Sequence, residues 1–210
     1  MAAMKGSSGV DGWTPSPHGW RVAVALLILA ACTRTAMSRE PAFRLNPHPS
    51  RPYEITVTVK DAPAPFDSIG IHVLYQVVND RCIRVLRGSG ATPVLERSVP
   101  VELTRVGGNR YTGTMFADLM QDEDYFGLGT CHWTVESANA EARINRLVLS
   151  TGVMPADSGA PASVERFFSN RSFVDSQRSR VSIGNARRSD FGPDASNTFS
   201  IVLTVVGKPR

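Results

Sequence analysis

From Tyr53 to Lys60 the side chains alternate strictly. Tyr53, Ile55, Val57 and Val59 are apolar, while Glu54, Thr56, Thr58 and Lys60 are polar. A period of two puts one face in a core and the other in water, so this segment is a predicted half-buried β-strand. Asp61-Ala62-Pro63-Ala64-Pro65 breaks the pattern, and Ile69, Ile71, Val73, Tyr75 and Val77 restart it. Val78-Asn79-Asp80 turns the chain into a short predicted strand from Cys82 to Leu86. Val99, Val101 and Leu103 alternate again, and Val106-Gly107-Gly108-Asn109 signals a hairpin into Tyr111 to Phe116. Thr130 to Val135, Leu147 to Thr151 and the alternating set Phe199, Ile201, Leu203 and Val205 complete eight or nine short strands. No long stretch repeats with the helical period, although Pro161 introduces a short predicted helix from Ala162 to Ser169. Many short strands without helices predict an all-β antiparallel sandwich, immunoglobulin-like in architecture and open in topology.

Residues 152–197 interrupt this regularity. They are rich in Ser, Arg, Gly and Pro and read as one long loop. A loop of that length inside a compact domain is functional or mobile. Val164, Phe167, Phe168, Phe173 and Phe191 can pin it to the sandwich, leaving Arg166, Arg171, Arg178, Arg180, Arg187 and Arg188 outside.

Ahead of the strands, Arg21 precedes an apolar run from Val22 that ends in Leu29-Ala30-Ala31-Cys32. The run would cover about 15 Å as a helix, half of a bilayer's hydrocarbon core. A short apolar run behind a positive charge, ending in small residues, is a secretory signal and not a membrane span. The tetrapeptide resembles the lipobox of bacterial lipoprotein precursors. That resemblance implies cleavage before Cys32 and lipid carried on Cys32. With Thr33, and not Asp, after the cysteine, it also implies sorting to the outer membrane, facing the periplasm. The other reading is an ordinary signal peptide cut near Ala31. The expected organisation is a signal peptide over 1–31, a lipidated cysteine and tether over 32–52, and a single sandwich domain over 53–210. The tether holds Pro41, Pro47, Pro49 and Pro52 with Arg34, Arg39, Arg44 and Arg51. Its prolines keep it extended.

With Cys32 assigned to lipid, Cys82 and Cys131 remain. Two cysteines in an exported chain read as a disulfide, because that compartment is oxidising. The formal net charge is +4, and segment 1–31 holds Lys5, Arg21 and Asp11, which leaves +3 on the rest. So weak and dispersed a charge does not predict nucleic-acid binding.

Tyr125 to Trp133 is the most individual segment. As a strand it would place Tyr125, Gly127, Gly129, Cys131 and Trp133 on one face, with the indole on the disulfide as in immunoglobulin domains. In those domains, however, the Trp lies between the two cysteines; here it follows the second. This block, together with Phe173 through the Gly184-Asn185-Ala186 and Asp190-Phe191-Gly192 turns, is similar to proteobacterial exported proteins that carry no assigned activity. The alternate glycines read as close packing, or else as a groove for a ligand.

Asp118, Asp122, Glu123 and Asp124 cluster just before that segment. Three readings apply: a partner-facing acidic patch, oxygen ligands for Ca²⁺ at a spacing unlike the EF-hand, or paired acids for glycoside hydrolysis. His72 and His132 fall on polar faces, and no nucleophile, zinc or phosphate-loop motif is present. The expectation is a non-enzymatic chain with no metal and no cofactor. The expected partner is another protein, met through the acidic cluster or the six arginines, since Arg pairs bidentately with carboxylates and is favoured at interfaces. The sharpest form is an immunity lipoprotein that blocks a delivered antibacterial toxin. The alternatives are an accessory lipoprotein of envelope or secretion-system assembly, and an enzyme or ligand binder acting on glycan or peptidoglycan.

Overall fold

A computed structural model describes residues 42–156 and 159–208. The signal segment and Cys32 lie outside the described residues. Ten strands form two five-stranded sheets. In chain order they are β1 (Pro52–Lys60), β2 (Ser68–Val77), β3 (Glu96–Val101), β4 (Thr104–Gly107) and β5 (Arg110–Phe116). Then come β6 (Trp133–Ile144), β7 (Leu147–Val153), β8 (Ala162–Ser169), β9 (Arg180–Ser182) and β10 (Thr198–Gly207). One sheet has the order β4-β5-β1-β10-β8 and the other β3-β2-β6-β7-β9. All pairings between neighbours are antiparallel except β7 with β9, which is parallel.

The alternation read from the sequence sets the core. Ile55 and Val57 of β1, Ile71, Val73 and Tyr75 of β2, and Phe199, Ile201, Leu203 and Val205 of β10 are all buried to within 1%. They interdigitate between the two sheets as in other sandwiches. β6 contributes only Ala138, Ala140 and Ala142 to this layer before Ile144. Its small side chains make room for the larger rings and branched chains opposite. Aromatic rings close one side of the core: Phe168 stacks on Phe199 at 5.6 Å, and Phe173 meets Phe199 edge-on at 5.5 Å.

Four expectations are corrected. Residues 162–169 are β8 and not a helix, because Val164 and Phe168 face inward at period two and the backbone pairs with β10 from Ser169↔Thr198 to Ala162↔Val205. The 82–86 segment is not a strand. A 3₁₀ turn at Asp80–Cys82 leads into irregular chain, with Val85 and Leu86 exposed. Tyr125 to Thr130 is a loop, with Gly127 and Gly129 at φ 73° and 107°, and the strand begins only at Trp133. The 152–197 region is substantially built: it contains β8, β9 and 3₁₀ turns at Asn170–Phe173 and Arg188–Asp194.

Part of the segment expected as a tether lies among the described residues. From Ala42 onward it is fastened to the domain. Leu45 bridges Met120, and the Phe43 ring sits edge-on to Tyr125 at 5.0 Å and to Trp133 at 5.1 Å. Aromatic side chains bury large apolar area, so one Phe is enough to dock an otherwise polar segment.

The disulfide joins Cys82 to Cys131, with 5.3 Å between their Cα atoms. It does not cross between sheets as an immunoglobulin bridge does. Cys82 follows the end of β2, and Cys131 precedes the start of β6; these two strands are neighbours whose last pair is Val77↔Trp133. The bridge therefore staples one end of a ladder. Trp133 packs there with Cys82, Cys131, Val77, Ile83 and Leu95 in a small buried cluster, and it also packs against the main core.

Candidate functional site

Two ends of the second sheet carry the acidic cluster and two of the six candidate arginines, Arg178 and Arg180. Cys131 and Trp133 mark the disulfide pole, at the start of β6. The β6–β7 hairpin at Asn145 marks the opposite pole. β6 has twelve residues, so the poles are about 40 Å apart along the strand.

The acidic cluster belongs to the disulfide pole, where each carboxylate is bonded to the protein itself. Asp118 accepts from the backbone N–H of Ser50 and Arg51 at 2.8 and 2.9 Å. Asp122 accepts from the Trp133 N–H at 2.9 Å and lies 2.8 Å from His132 Nδ1. Glu123 pairs with Arg44 at 2.6 Å. Asp124 accepts from the N–H groups of Gly127 and Leu128 at 2.7 and 3.0 Å, closing the loop into an Asx-type turn. Partial burial pushes the Asp118 carboxyl up, but its hydrogen bonds from Ser50 and Arg51 outweigh this and hold it below the usual carboxylate range. Asp124 is likewise held low: slight desolvation opposes its loop amides, and the amides prevail. These are fastening roles. Among the described residues, no three His, Cys, Asp or Glu side chains are grouped so as to hold a metal ion.

The six arginines divide. Arg171 lies 3.7 Å from Asp194, Arg187 3.1 Å from Asp190, and Arg188 3.3 Å from Asp61. Arg188 also lies over the Phe167 ring at 5.4 Å. Arg166 is half-buried on β8, opposite Ile201. Arg178 and Arg180 are exposed, and among the described residues no carboxylate pairs with either.

These two free cations stand at the hairpin pole. The Arg146 N–H donates to the Ser176 carbonyl, and the Asn145 amide to the Ser176 hydroxyl, so the chain leading to Arg178 is pinned at that hairpin. Arg180 then pairs with Leu147 at the start of β7. Around them Val174, Val181 and Ile183 are 82%, 68% and 69% exposed. Val181 and Ile183 sit on or beside a three-residue edge strand whose outer side is unpaired. The arginines were legible in the sequence. The valines and isoleucine were not picked out, although the alternation in Arg180-Val181-Ser182-Ile183 was the available signal.

A third feature is a cleft of about 560 Å³ between β3 and β5, floored by Val73, Tyr75 and Met115 and rimmed by Glu54, Glu102 and Lys208. Tyr75 donates to the Phe116 carbonyl at 2.7 Å, and burial pushes its hydroxyl well above the ordinary range. That hydroxyl stays neutral and serves as a strut and not a base. His72 and His132 are not brought together: His72 lies mid-strand opposite Asn139, whereas His132 stands beside Asp122 at the disulfide pole.

Compared with protein-family models, with curated proteins and with solved structures, the chain matches none. No helix among the described residues is long and apolar enough to cross a membrane.

Proposed function

We propose that this chain is a lipid-anchored protein-binding module of the bacterial periplasm, and that its hairpin pole holds a partner protein with an acidic face. The observation that carries this reading is the juxtaposition of unpaired Arg178 and Arg180 with exposed Val174, Val181 and Ile183. Apolar side chains ringed by arginine have the composition of an interface core, and Arg is the cation best suited to carboxylates. An exposed apolar edge of this kind is otherwise an aggregation hazard, which a resident partner would relieve. The sharpest version is an immunity lipoprotein that blocks a toxin delivered between bacteria.

The test is binding to the product of a toxin gene adjacent to this one, by calorimetry, with Arg178→Glu/Arg180→Glu as comparison. Nanomolar affinity for the wild type and a loss of at least about 2 kcal/mol in the charge-reversed pair support the reading. Equal affinity in both proteins removes the hairpin pole. A deletion strain as resistant as its parent to that toxin removes the immunity version.

A further inference from the structure

The cleft between β3 and β5 has two features that the reading of the hairpin pole does not use, a free strand edge and an unpaired acid. β1 covers one side of β5 along its whole length, from Arg110 to Phe116. On the other side β4 pairs only with Arg110, Tyr111 and Thr112. The chain leaves the line of β4 at Leu103 and crosses to β3 in the other sheet. The crossing is close: a Cβ added at Gly113 would meet the Glu102 carbonyl oxygen at 2.6 Å. Past it, among the described residues, no strand continues alongside β5. Pairing with β1 occupies the backbone groups of alternate residues, so along Gly113-Thr114-Met115 at least one residue turns its N–H and C=O toward the cleft. No described backbone group bonds to them from that side. The Phe116 carbonyl, by contrast, is already taken by the Tyr75 hydroxyl at 2.7 Å.

Free edges are usually blunted by proline or charge. The outer edge of β3 is treated in this way, with Pro100 offering no N–H and Glu96 at its start. Gly113-Thr114-Met115 carries neither proline nor charge and is recessed in the cleft instead. Val99, Val101 and Leu119 line the walls and are only half-buried. A strand laid about 4.8 Å from β5 would turn alternate side chains inward onto this apolar surface and the others out to the rim. The charged residues that line the cleft are Glu54, Glu102 and Lys208. Lys208 lies 3.6 Å from Glu54. Glu102 is exposed, and among the described residues no cation pairs with it. Neighbouring charges are engaged elsewhere. Arg105 donates to the Gly108 carbonyl and lies over Tyr111, and Asp118 holds Ser50 and Arg51. The rim is therefore left with one uncompensated negative charge, which complements a cation and not an acid.

We infer that this cleft binds an extended peptide segment of another protein by strand addition along Gly113–Met115, with an apolar side chain against Val99, Val101 and Leu119 and a Lys or Arg meeting Glu102. Backbone bonds to the edge supply affinity in this mode, and the alternate side chains supply selectivity. The probe is a random heptapeptide library displayed on phage and panned on the full chain, keeping those phage that the Arg178→Glu/Arg180→Glu chain also retains. The expected result is enrichment of sequences that alternate apolar with polar residues and carry Lys or Arg. The best enriched peptide, added to the full chain, shifts the amide resonances of Gly113, Thr114 and Met115. N-methylation of one of its two sets of alternate backbone nitrogens weakens binding at least about tenfold, because it removes the bonds to β5 while keeping the side chains. Glu102→Lys weakens binding about threefold, and replacing the peptide's cation with glutamate restores it. A library without enrichment, or enriched peptides that leave those three amides unshifted, overturns the proposal. So does unchanged affinity after N-methylation of either set, which would mark the cleft as a pocket for an apolar group alone. Indifference to Glu102→Lys overturns the assigned cation. Each of these outcomes leaves the reading of the hairpin pole standing, since the retained phage do not need Arg178 or Arg180.

Discussion

Asp118 grips Ser50 twice, through the backbone N–H at 2.8 Å and the hydroxyl at 3.0 Å, across 68 residues of sequence. The same carboxylate takes the Arg51 N–H at 2.9 Å. Arg51 leads directly into β1, so Asp118 fixes where the sheet begins.

That grip makes a pH prediction. The Asp118 carboxyl is held below its ordinary value, so the folded state favours the charged form. The stabilisation is complete above the unfolded carboxylate range and is lost as pH falls through the lower folded value. Asp118→Ala is expected to cost about 1–2 kcal/mol at neutral pH, typical of hydrogen bonds to a charged group at a partly open site. The difference from wild type shrinks in strong acid. Urea midpoints measured at neutral pH and near pH 3 check this, and an equal deficit at both values counts against it.

The disulfide closes a long loop, its ends 49 positions apart in the sequence. In the chain-entropy model such a bridge stabilises by ~4 kcal/mol. Cys82→Ser/Cys131→Ser is expected to lose a large part of that. The damage should be concentrated at the small cluster of Val77, Ile83 and Leu95, none of which belongs to the main core, with Trp133 on the border of the two. Amide exchange would show the 78–95 and 122–132 segments opening first, with β1 and β10 still protected. Simultaneous opening of both sheets would contradict the separation of the two clusters.

What the sequence revealed and what it hid follow from side-chain size and from neighbours. β1, β2 and β10 announce themselves because large apolar residues alternate with polar ones. The second half of β6 does not, because Ala138, Ala140 and Ala142 are too small to register as a hydrophobic face, yet all are at most 2% exposed. β8 does not read as a strand in the sequence because Arg166 and Phe167 blur its alternation; the pairing with β10 that decides the matter is non-local. Tyr125 to Thr130 looked like a strand because its glycines fall at alternate positions. Their positive φ and the amides gathered on Asp124 make a loop instead. The same limit applies to the sites. The acidic cluster and the arginines are visible as residue types, but which partners Asp118, Asp122 and Glu123 hold is decided by pairings 10 to 79 residues apart.

Gly184 is where the edge of β8 is closed. Phe167 and Asn185 exchange backbone hydrogen bonds, both 2.9 Å. That requires Gly184 at φ 65°, with its Cα so near that an added Cβ would meet the Phe167 carbonyl oxygen at 2.7 Å and the Phe168 ring at 2.8 Å. Gly184→Ala therefore combines a left-handed backbone with overpacking, at an expected cost of about 2–3 kcal/mol. The Phe167 and Asn185 amides should exchange faster by a corresponding factor. Unchanged protection at these two amides would show that the bridge does not depend on the glycine.

Phe43 carries the last prediction, because it couples the segment before Asn46 to the domain. Its ring meets Tyr125 and Trp133 edge-on, and the Arg97 guanidinium lies over it at 4.5 Å. Edge-to-face pairs and a cation over the ring each add to the area buried. The ring is only partly buried, so Phe43→Ala is expected to cost about 1–3 kcal/mol, less than a fully buried Phe. The larger effect is local. Once Phe43 is gone, only the Arg44 ion pair with Glu123 and the Leu45 bridge to Met120 remain to hold the segment before Asn46. An exposed ion pair contributes little, so the segment should detach well before the sheets unfold. Trp133 reports this directly, because its indole loses an apolar neighbour and gains water. A red shift of tryptophan emission at a temperature where the strand amides are still protected is the expected result. Limited proteolysis should then cut before Asn46, giving a fragment that keeps the disulfide. If emission and amide protection change together, the segment before Asn46 is part of the cooperative core, and the disulfide pole does not have the separately releasable segment that its contacts describe.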